Sequence, residues 1–236
     1  MLVSTIVPTY NESMNVIPMI ERLLKAATDY KTEIIIVDDD SPDKTWEVAK
    51  NYKEKHNLNN IRIIRRVGEK GLASAIARGI SEAKGDVISW IDADLGVPPE
   101  IIPKLAEQAR SYDIAVASRY VPGGGDPRPW FRAFLSVLLN KFMKYYLWLP
   151  IKDCTSCVVA AKREVFDKVK FSTKGFGEFF TEFIYNAKKQ KFSMTEVPVT
   201  YEPERAGGVS KSDNNLLILF KLGFQYGMRT ILLRFK

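Results

Sequence analysis

Histidine is almost absent: among 236 residues there is only His56, in the polar stretch 53–57. This scarcity argues against chemistry that needs an imidazole base or a histidine-bound metal. Cysteine is nearly as scarce, because Cys154 and Cys157 form one C-x-x-C pair without the second pair that a zinc site requires. The residues that follow are typical of a strand, whereas a thioredoxin-type pair would open a helix. We therefore interpret both cysteines as reduced, partly buried thiols.

Several targeting and recognition features are also missing. No RNA-reading motif or basic low-complexity tail is present, which argues against a nucleic-acid partner. The N-terminus lacks a basic region followed by an apolar core, so no signal peptide is expected. Lys221 and Arg229 interrupt the apolar C-terminal stretch, whereas a transmembrane helix needs about 20 mostly apolar residues. The net charge of +7 therefore favours a phosphorylated substrate or an anionic membrane surface.

The first half of the sequence alternates between strand and helix patterns. Short apolar runs predict five buried strands, at Val3–Val7, Glu33–Val37, Ile61–Ile64, Asp86–Ile91 and Ile114–Ala117. Apolar residues at helical spacing lie between these runs. Ser41, followed by Pro42, predicts the start of the helix after the second strand. The alternation predicts βαβ units, and hence an α/β fold with a Rossmann-like, mostly parallel sheet flanked by helices.

The second half has a different pattern. We predict an amphipathic helix at about 130–149, with Arg132, Ser136 and Asn140 on one face, and strands at Asp153–Ala160 and Phe192–Val199 around a helix at Gly177–Lys189. The last segment has a wide apolar face. We therefore divide the chain into a domain at 1–212, which includes the helix at 130–149, and an amphipathic helix at 213–236. That helix is expected in a membrane interface or packed on another subunit.

Three polar loops follow predicted strands. They are Pro8–Glu12, Asp38–Asp40 and Asp92–Asp94. The carboxyl ends of parallel strands meet at one edge of an open sheet, which is where such sheets bind ligands. Two carboxylates on alternate residues at that edge indicate a hard divalent cation and a phosphate-rich ligand.

Six short motifs occur in a recognisable order. They are VPTYNE at 7–12, VDDDS at 37–41, GLASA at 71–75, DADL at 92–95, SRY at 118–120 and GVSK at 208–211. Together they resemble family 2 glycosyltransferases of the GT-A fold, and most closely the polyprenyl-phosphate (dolichyl-phosphate) mannose synthase group. The resemblance covers essentially the whole chain.

The resemblance implies a set of donor-binding residues. The nucleotide sugar would be bound by Pro8, Tyr10, Glu12, Val37, Asp39, Asp92, Ala93, Asp94, Arg205 and Lys211. A Mg²⁺ or Mn²⁺ ion would be held by Asp94, with Asp92 beside it. The acceptor phosphate would be held by Arg119, Arg132 and Ser136. Asp94, Arg119 and Arg132 would thus be the catalytic residues.

The implied reaction is transfer of a hexose, with inversion, from a nucleotide-diphosphate sugar to polyprenyl or dolichyl phosphate. GDP-mannose is the favoured donor. The enzyme is expected to be peripheral, at the cytoplasmic face of the cell or endoplasmic-reticulum membrane, alone or with a membrane subunit or a second copy. A phosphomonoester is already largely dianionic at neutral pH, because its second pKa is about 6, so it needs no general base. One histidine is consistent with this chemistry.

Two departures from the family pattern leave alternatives open. Gly96 stands where mannose synthases commonly have a glutamine that helps with the metal, and Cys157 stands where a glycine often follows Thr-Ser. A UDP-glucose-dependent polyprenyl-phosphate glucosyltransferase and an inactive sugar-nucleotide-binding membrane scaffold therefore both stay open. Many relatives continue into transmembrane helices near the point where this sequence stops, so either a naturally short or a truncated form is expected.

Other enzyme classes fit less well. Processive or protein-directed transferases of the same fold usually carry a Gln-x-x-Arg-Trp segment, and the sequence has none. Nucleotidyltransferases usually begin with a glycine-rich loop that carries a basic residue, which the motif at 7–12 does not resemble.

Overall fold

The computed structural model describes residues 1–175, 177–202 and 216–235. The strands within these ranges are β1 Leu2–Thr9, β2 Lys31–Asp38, β3 Ile61–Arg65, β4 Val87–Trp90, β5 Ile114–Ser118, β6 Val159–Lys162 and β7 Met194–Pro198. The helices are α1 Val16–Ala26, α2 Thr45–Lys55, α3 Leu72–Glu82, α4 Ile101–Gln108, α5 Trp130–Leu147, α6 Arg163–Lys168, α7 Glu178–Lys189 and α8 Leu216–Leu233.

The strands form one sheet in the order β3-β2-β1-β4-β6-β5-β7. All described neighbours are parallel except β6, which is antiparallel to both β4 and β5. β1 is in register with β2 from Leu2 opposite Lys31 to Thr9 opposite Asp38. The carboxyl ends of these two strands therefore lie side by side, and the predicted, mostly parallel sheet is confirmed.

Helices cover both faces of the sheet, and alternate strand residues point to opposite faces. Ile6 joins a cluster with residues of α3, α5, α7 and α8, whereas Val3 and Val7 join a cluster with residues of α1, α2 and α4. Trp90 anchors the first cluster, with the rings of Phe171 and Phe183 at 5.6 and 5.7 Å. Burial on both faces explains why the parallel strands are continuously apolar in sequence.

Two predicted element boundaries are wrong. The strand predicted from Asp153 begins only at Val159, because Cys157 takes a positive φ of 56°, which no strand residue adopts. The helix predicted from Ser41 begins at Thr45. Ser41 does not cap it, since its hydroxyl donates a hydrogen bond to Asp38 over 2.6 Å.

The C-terminal helix packs on the sheet domain through its inner face. Leu233 and Thr230 are buried, and Arg229 forms ion pairs of 3.3 and 3.0 Å with Glu178 and Glu182 on α7. The outer face of the same helix is apolar and exposed. Among the described residues, no helix is long and apolar enough to cross a membrane.

We predict that Gly85→Ala destabilises the junction between β1 and the start of β4. A Cβ atom there would lie 2.6 Å from the Ser4 backbone nitrogen and 2.8 Å from the Leu2 carbonyl oxygen, both of which are fixed by the sheet. Such overpacking costs about 1–3 kcal/mol of unfolding free energy, measurable by urea denaturation. Gly223→Ala on α8 is the matched control, because its Cβ would meet nothing within 4 Å. Equal stability of the two variants would contradict this account.

Candidate active site

A buried carboxylate ties together the loops that follow β1 and β2. Asp38 accepts hydrogen bonds from the Thr9 hydroxyl at 2.8 Å and from the Ser41 backbone N–H at 2.8 Å. The Ser41 hydroxyl in turn accepts a hydrogen bond of 3.0 Å from the Asn11 backbone. Asp38 belongs to one of the three predicted polar loops but was not among the expected site residues, although its acidic side chain directly ends a buried strand. Its contacts make it a residue that shapes the loops.

Asp39, expected beside the nucleoside, is held in a buried ion pair. The Arg66 guanidinium donates to its Oδ1 through Nε at 2.7 Å, and the Gly71 backbone N–H donates to its Oδ2 at 2.7 Å. The Arg66 side chain is only 3 % exposed. Sequence reasoning missed Arg66. Its position directly after β3 could have indicated it, because that position places Arg66 at the same sheet edge as Asp39.

The other residues expected to contact the donor from β1 and β2 lie at the same edge. Pro8 and Val37 are buried within the two strands, and Tyr10 is half-buried with the Lys70 ammonium 5.0 Å from its ring centre. The Glu12 backbone N–H donates to the Thr45 hydroxyl at 2.9 Å, and the Glu12 carboxylate accepts from Asn15 at 2.8 Å. We call the loops 8–12, 38–41 and 92–96 the acidic edge.

Asp92, Ala93 and Asp94 complete the acidic edge at the end of β4. Ala93 is buried, the two aspartates are partly buried, and Asp94 accepts a hydrogen bond of 2.9 Å from the Gly96 backbone. Burial, followed by the negative charges of Asp94 and Glu12, raises the pKa of Asp92 to about 7. Asp94 and Glu12 are thus both close enough to act on the Asp92 carboxyl.

The residues at this edge fit a divalent cation that is shared with a ligand. Within the described ranges, no three His, Cys, Asp or Glu side chains lie close enough to hold a metal by themselves. Mg²⁺ sites commonly use one or two carboxylates, and substrate phosphates supply further oxygens. Asp92 and Asp94 offer such a pair, and a cation would relieve the repulsion that raises the pKa of Asp92.

Gly96 gives the Asp94 carboxylate its close approach to the loop backbone. A Cβ atom at Gly96 would lie 3.2 Å from Asp94 Oδ1, which is tighter than most such contacts. A side chain at position 96 would therefore have to move the Asp94 carboxylate by a few tenths of an ångström.

Arg119, at the end of β5, lies in a second buried ion pair. Its Nε and Nη2 donate to the two oxygens of Asp153, each at 2.8 Å, and Nη2 also donates to the Thr155 hydroxyl at 2.8 Å. The rings of Tyr120 and Tyr201 lie 4.9 and 4.6 Å from its guanidinium carbon. Asp153, Tyr120 and Tyr201 were not predicted as site residues. Only their proximity to Arg119 in the fold identifies these three residues, and the sequence does not show that proximity.

Polar residues of α5 connect this helix to the Arg119 ion pair. The Tyr120 hydroxyl donates to the Ser136 hydroxyl at 2.7 Å. Asn140 donates to the Thr155 hydroxyl at 2.9 Å and accepts from the Cys154 backbone at 2.7 Å. Arg132 is half-buried on the same helix, one turn before Ser136. We call Arg119, Tyr120, Ser136 and Asp153 the arginine site.

Cys157 lies between the acidic edge and the arginine site. Burial raises the pKa of its thiol, the charges of Asp92 and Asp153 add to this, and Arg119 acts in the opposite direction. Both cysteines are free, and both are buried rather than partly buried as predicted. The fold therefore brings both expected groups of residues to one region. Arg205 and Lys211, expected at the diphosphate, lie outside the described residues.

Comparison with known proteins agrees with this geometry. A model of glycosyl transferase family 2 matches residues 4–170. The chain belongs to glycosyltransferase family 2. It is 42% identical over 217 residues to the dolichol-phosphate mannosyltransferase of Pyrococcus furiosus, covering 89% of this chain and 59% of that protein. A dolichol-phosphate mannosyltransferase of Saccharomyces cerevisiae is 41% identical over 130 residues, which cover 54% of this chain and 48% of that protein. The chain thus spans about half to three-fifths of the length of these two relatives.

A third relative matches over most of both chains. The polyprenol monophosphomannose synthase of Mycolicibacterium smegmatis is 33% identical over 234 residues, covering 95% of this chain and 86% of that protein. Among solved structures, glucosyl-3-phosphoglycerate synthase from Mycobacterium tuberculosis, in complex with Mn²⁺, UDP and glucosyl-3-phosphoglycerate, has a TM-score of 0.73 at 15% identity. That match covers 98% of this chain and 79% of the other. The shared architecture confirms the expected GT-A fold.

We predict that Asp92 makes the metal-free protein less stable as the pH rises from about 4 to about 7. The ordinary aspartate pKa is about 4, and that of Asp92 is about 7. In this window the folded state keeps a proton that the unfolded state releases, so the unfolding free energy falls with rising pH. Urea denaturation at pH 5 and pH 8 should show a smaller difference for Asp92→Asn than for the wild type. Identical pH dependence in both proteins would contradict the assignment.

Proposed function

We propose that this chain transfers a mannosyl group, with inversion, from GDP-mannose to polyprenyl or dolichyl phosphate. The observation that carries the proposal is the similarity of the chain, along most of its length, to a dolichol-phosphate mannosyltransferase and to a polyprenol monophosphomannose synthase. The described geometry supports it, because the acidic edge and the arginine site both lie near Cys157. Such a transfer needs one site for a diphosphate leaving group and one for an attacking phosphate.

The acidic edge is the proposed donor site. Asp94, with Asp92, would hold Mg²⁺ or Mn²⁺, which when bound neutralises charge that develops on the leaving diphosphate. Asp39 would accept a hydrogen bond from the nucleoside. Arg66 and the Gly71 N–H fix the orientation of that carboxylate before any nucleotide arrives, and such preorganisation lowers the cost of binding. Arg205 and Lys211 are proposed to reach the diphosphate from outside the described residues.

The arginine site is the proposed acceptor site. One oxygen of the phosphomonoester would attack the anomeric carbon while Arg119, Arg132 and Ser136 hold the other oxygens. The dianionic phosphate brings no proton that must be removed. The single histidine supports this view, since His56 is exposed at the C-terminal end of α2, where its ring is tilted by 33° against that of Tyr52 with the ring centres 4.4 Å apart. The C-terminal ends of such crossover helices lie opposite the sheet edge that carries the acidic loops.

A lipid acceptor also accounts for the outer faces of α5 and α8. Exposed apolar side chains on α5 and directly after it are Trp130, Phe134, Leu138, Phe142, Tyr145 and Trp148. Those on α8 and just beyond it are Phe224, Met228, Ile231, Leu232 and Phe235. The two helices pack against each other, so the faces lie close together. We propose that they rest on an anionic leaflet at the cytoplasmic side, with the net charge of +7 adding to the attraction.

The proposal is tested first by donor binding. Calorimetric titration of GDP-mannose, UDP-glucose and the free diphosphates, each with and without Mn²⁺, should show metal-dependent binding of GDP-mannose. Preference for UDP-glucose would instead identify a glucosyltransferase. Absence of any nucleotide binding would contradict both and favour an inactive scaffold.

We predict that Asp94→Asn reduces metal-dependent mannosyl transfer by about 10²-fold or more, the scale seen when one group that stabilises developing charge is removed. The amide keeps the shape of the side chain but loses the negative charge that attracts a cation. Asp167→Asn makes the same chemical change at an exposed position of α6, and should leave the rate unchanged. Initial rates at saturating donor measure both. An active Asp94→Asn variant would refute the role assigned to Asp94.

A further inference from the structure

An aspartate–arginine pair lies beside the arginine site, at the beginning of α5. The Arg128 guanidinium donates to both carboxylate oxygens of Asp126, at 2.7 Å from Nε and 2.5 Å from Nη2. The Asp126 side chain is only 6 % exposed, whereas that of Arg128 is 37 % exposed. The mechanism proposed above uses neither residue.

The pair is directly connected to residues proposed to bind the acceptor. Asp126 Oδ2 lies 3.7 Å from Arg119 Nη1 and 3.4 Å from the Tyr120 hydroxyl. That same hydroxyl donates to Ser136 at 2.7 Å. One buried carboxylate oxygen therefore faces two guanidinium groups and a hydroxyl that leads to Ser136.

Asp126 thus occupies the position of an anion between two cations. Arg119 already has a full bidentate partner in Asp153, so the charge of Asp126 chiefly compensates Arg128. Arg128 and Arg119 are close enough that each disfavours the charge of the other. An incoming anion that replaced the Asp126 carboxylate would contact the guanidinium groups of both Arg119 and Arg128. Arg128 is the more exposed of the two, and its planar fork suits phosphate oxygens.

We propose that Arg128 is a further phosphate-binding residue of the acceptor site, and that Asp126 is a built-in competitor that occupies the site until phosphate binds. This inference rests on the proposed function. It also implies selectivity for monoesters. A phosphodiester carries one negative charge, the same as the Asp126 carboxylate that it would have to replace. A phosphomonoester dianion carries nearly twice that charge at neutral pH, so it would be attracted more strongly to the two guanidinium groups.

The two residues should therefore have opposite effects on phosphate binding. Calorimetric titration with geranyl phosphate, a short and soluble isoprenyl monoester, should show about 10-fold weaker binding for Arg128→Gln, as expected for the loss of a charge-assisted hydrogen bond. Asp126→Asn should bind several-fold more tightly than the wild type. Arg128→Lys, which keeps the charge but loses the fork, should lie between Arg128→Gln and the wild type.

A purely structural ion pair would behave differently. Both Arg128→Gln and Asp126→Asn would then bind geranyl phosphate more weakly than the wild type, and both variants would have a lower melting temperature. Binding by Arg128→Gln equal to wild type, or weaker binding by a folded Asp126→Asn, overturns the inference. Nucleotide titration checks that the donor site of each variant is intact. If the wild type bound nucleotide but no geranyl phosphate, the proposed acceptor and this inference would both fail. Wild-type binding that Arg128→Gln leaves unchanged overturns only the inference.

Discussion

The parallel pairing of β1 with both β2 and β4 is the constraint on which the site depends. It places the ends of the three strands side by side, so that Thr9 lies opposite Asp38 and the loop carrying Asp92 and Asp94 emerges next to them. Because β1 lies between the other two, a shift in its register would separate the acids from the loop that carries Glu12. The close approach of Gly85 to the backbone of β1 helps to fix that register.

Two buried ion pairs hold charged side chains in place on either side of Cys157. Arg66 fixes Asp39 at the acidic edge, and Asp153 fixes Arg119 at the arginine site. Buried ion pairs are weak evidence for stability, because desolvation cancels much of their attraction. Their value here is orientation, since each holds a group that would contact a ligand in one direction. At Asp92 the surroundings act the other way, because burial and then the negative charges of Asp94 and Glu12 raise the pKa of its carboxyl.

Much of this organisation could be predicted from the sequence because it follows from local patterns. Continuous apolar runs indicated the parallel strands, and the acids directly after them indicated the acidic edge. The order of short motifs indicated the family. The ion pairs could not be predicted in this way, because Asp153 lies 34 residues beyond Arg119 and Arg66 lies 27 residues beyond Asp39. Ser41 was misassigned for a related reason: its hydroxyl binds Asp38, and a helix-start pattern cannot show that competing partner.

The central claim is that this chain joins a mannosyl group to a lipid phosphate. The most direct measurement is the transfer of labelled mannose from GDP-mannose into a solvent-extractable lipid, with polyprenyl phosphate in anionic vesicles and Mn²⁺ present. We expect label in the lipid fraction only when donor, metal and polyprenyl phosphate are all supplied, and none when polyprenol replaces polyprenyl phosphate. Absence of labelled lipid with active, nucleotide-binding protein, or equal labelling of the unphosphorylated alcohol, would contradict it.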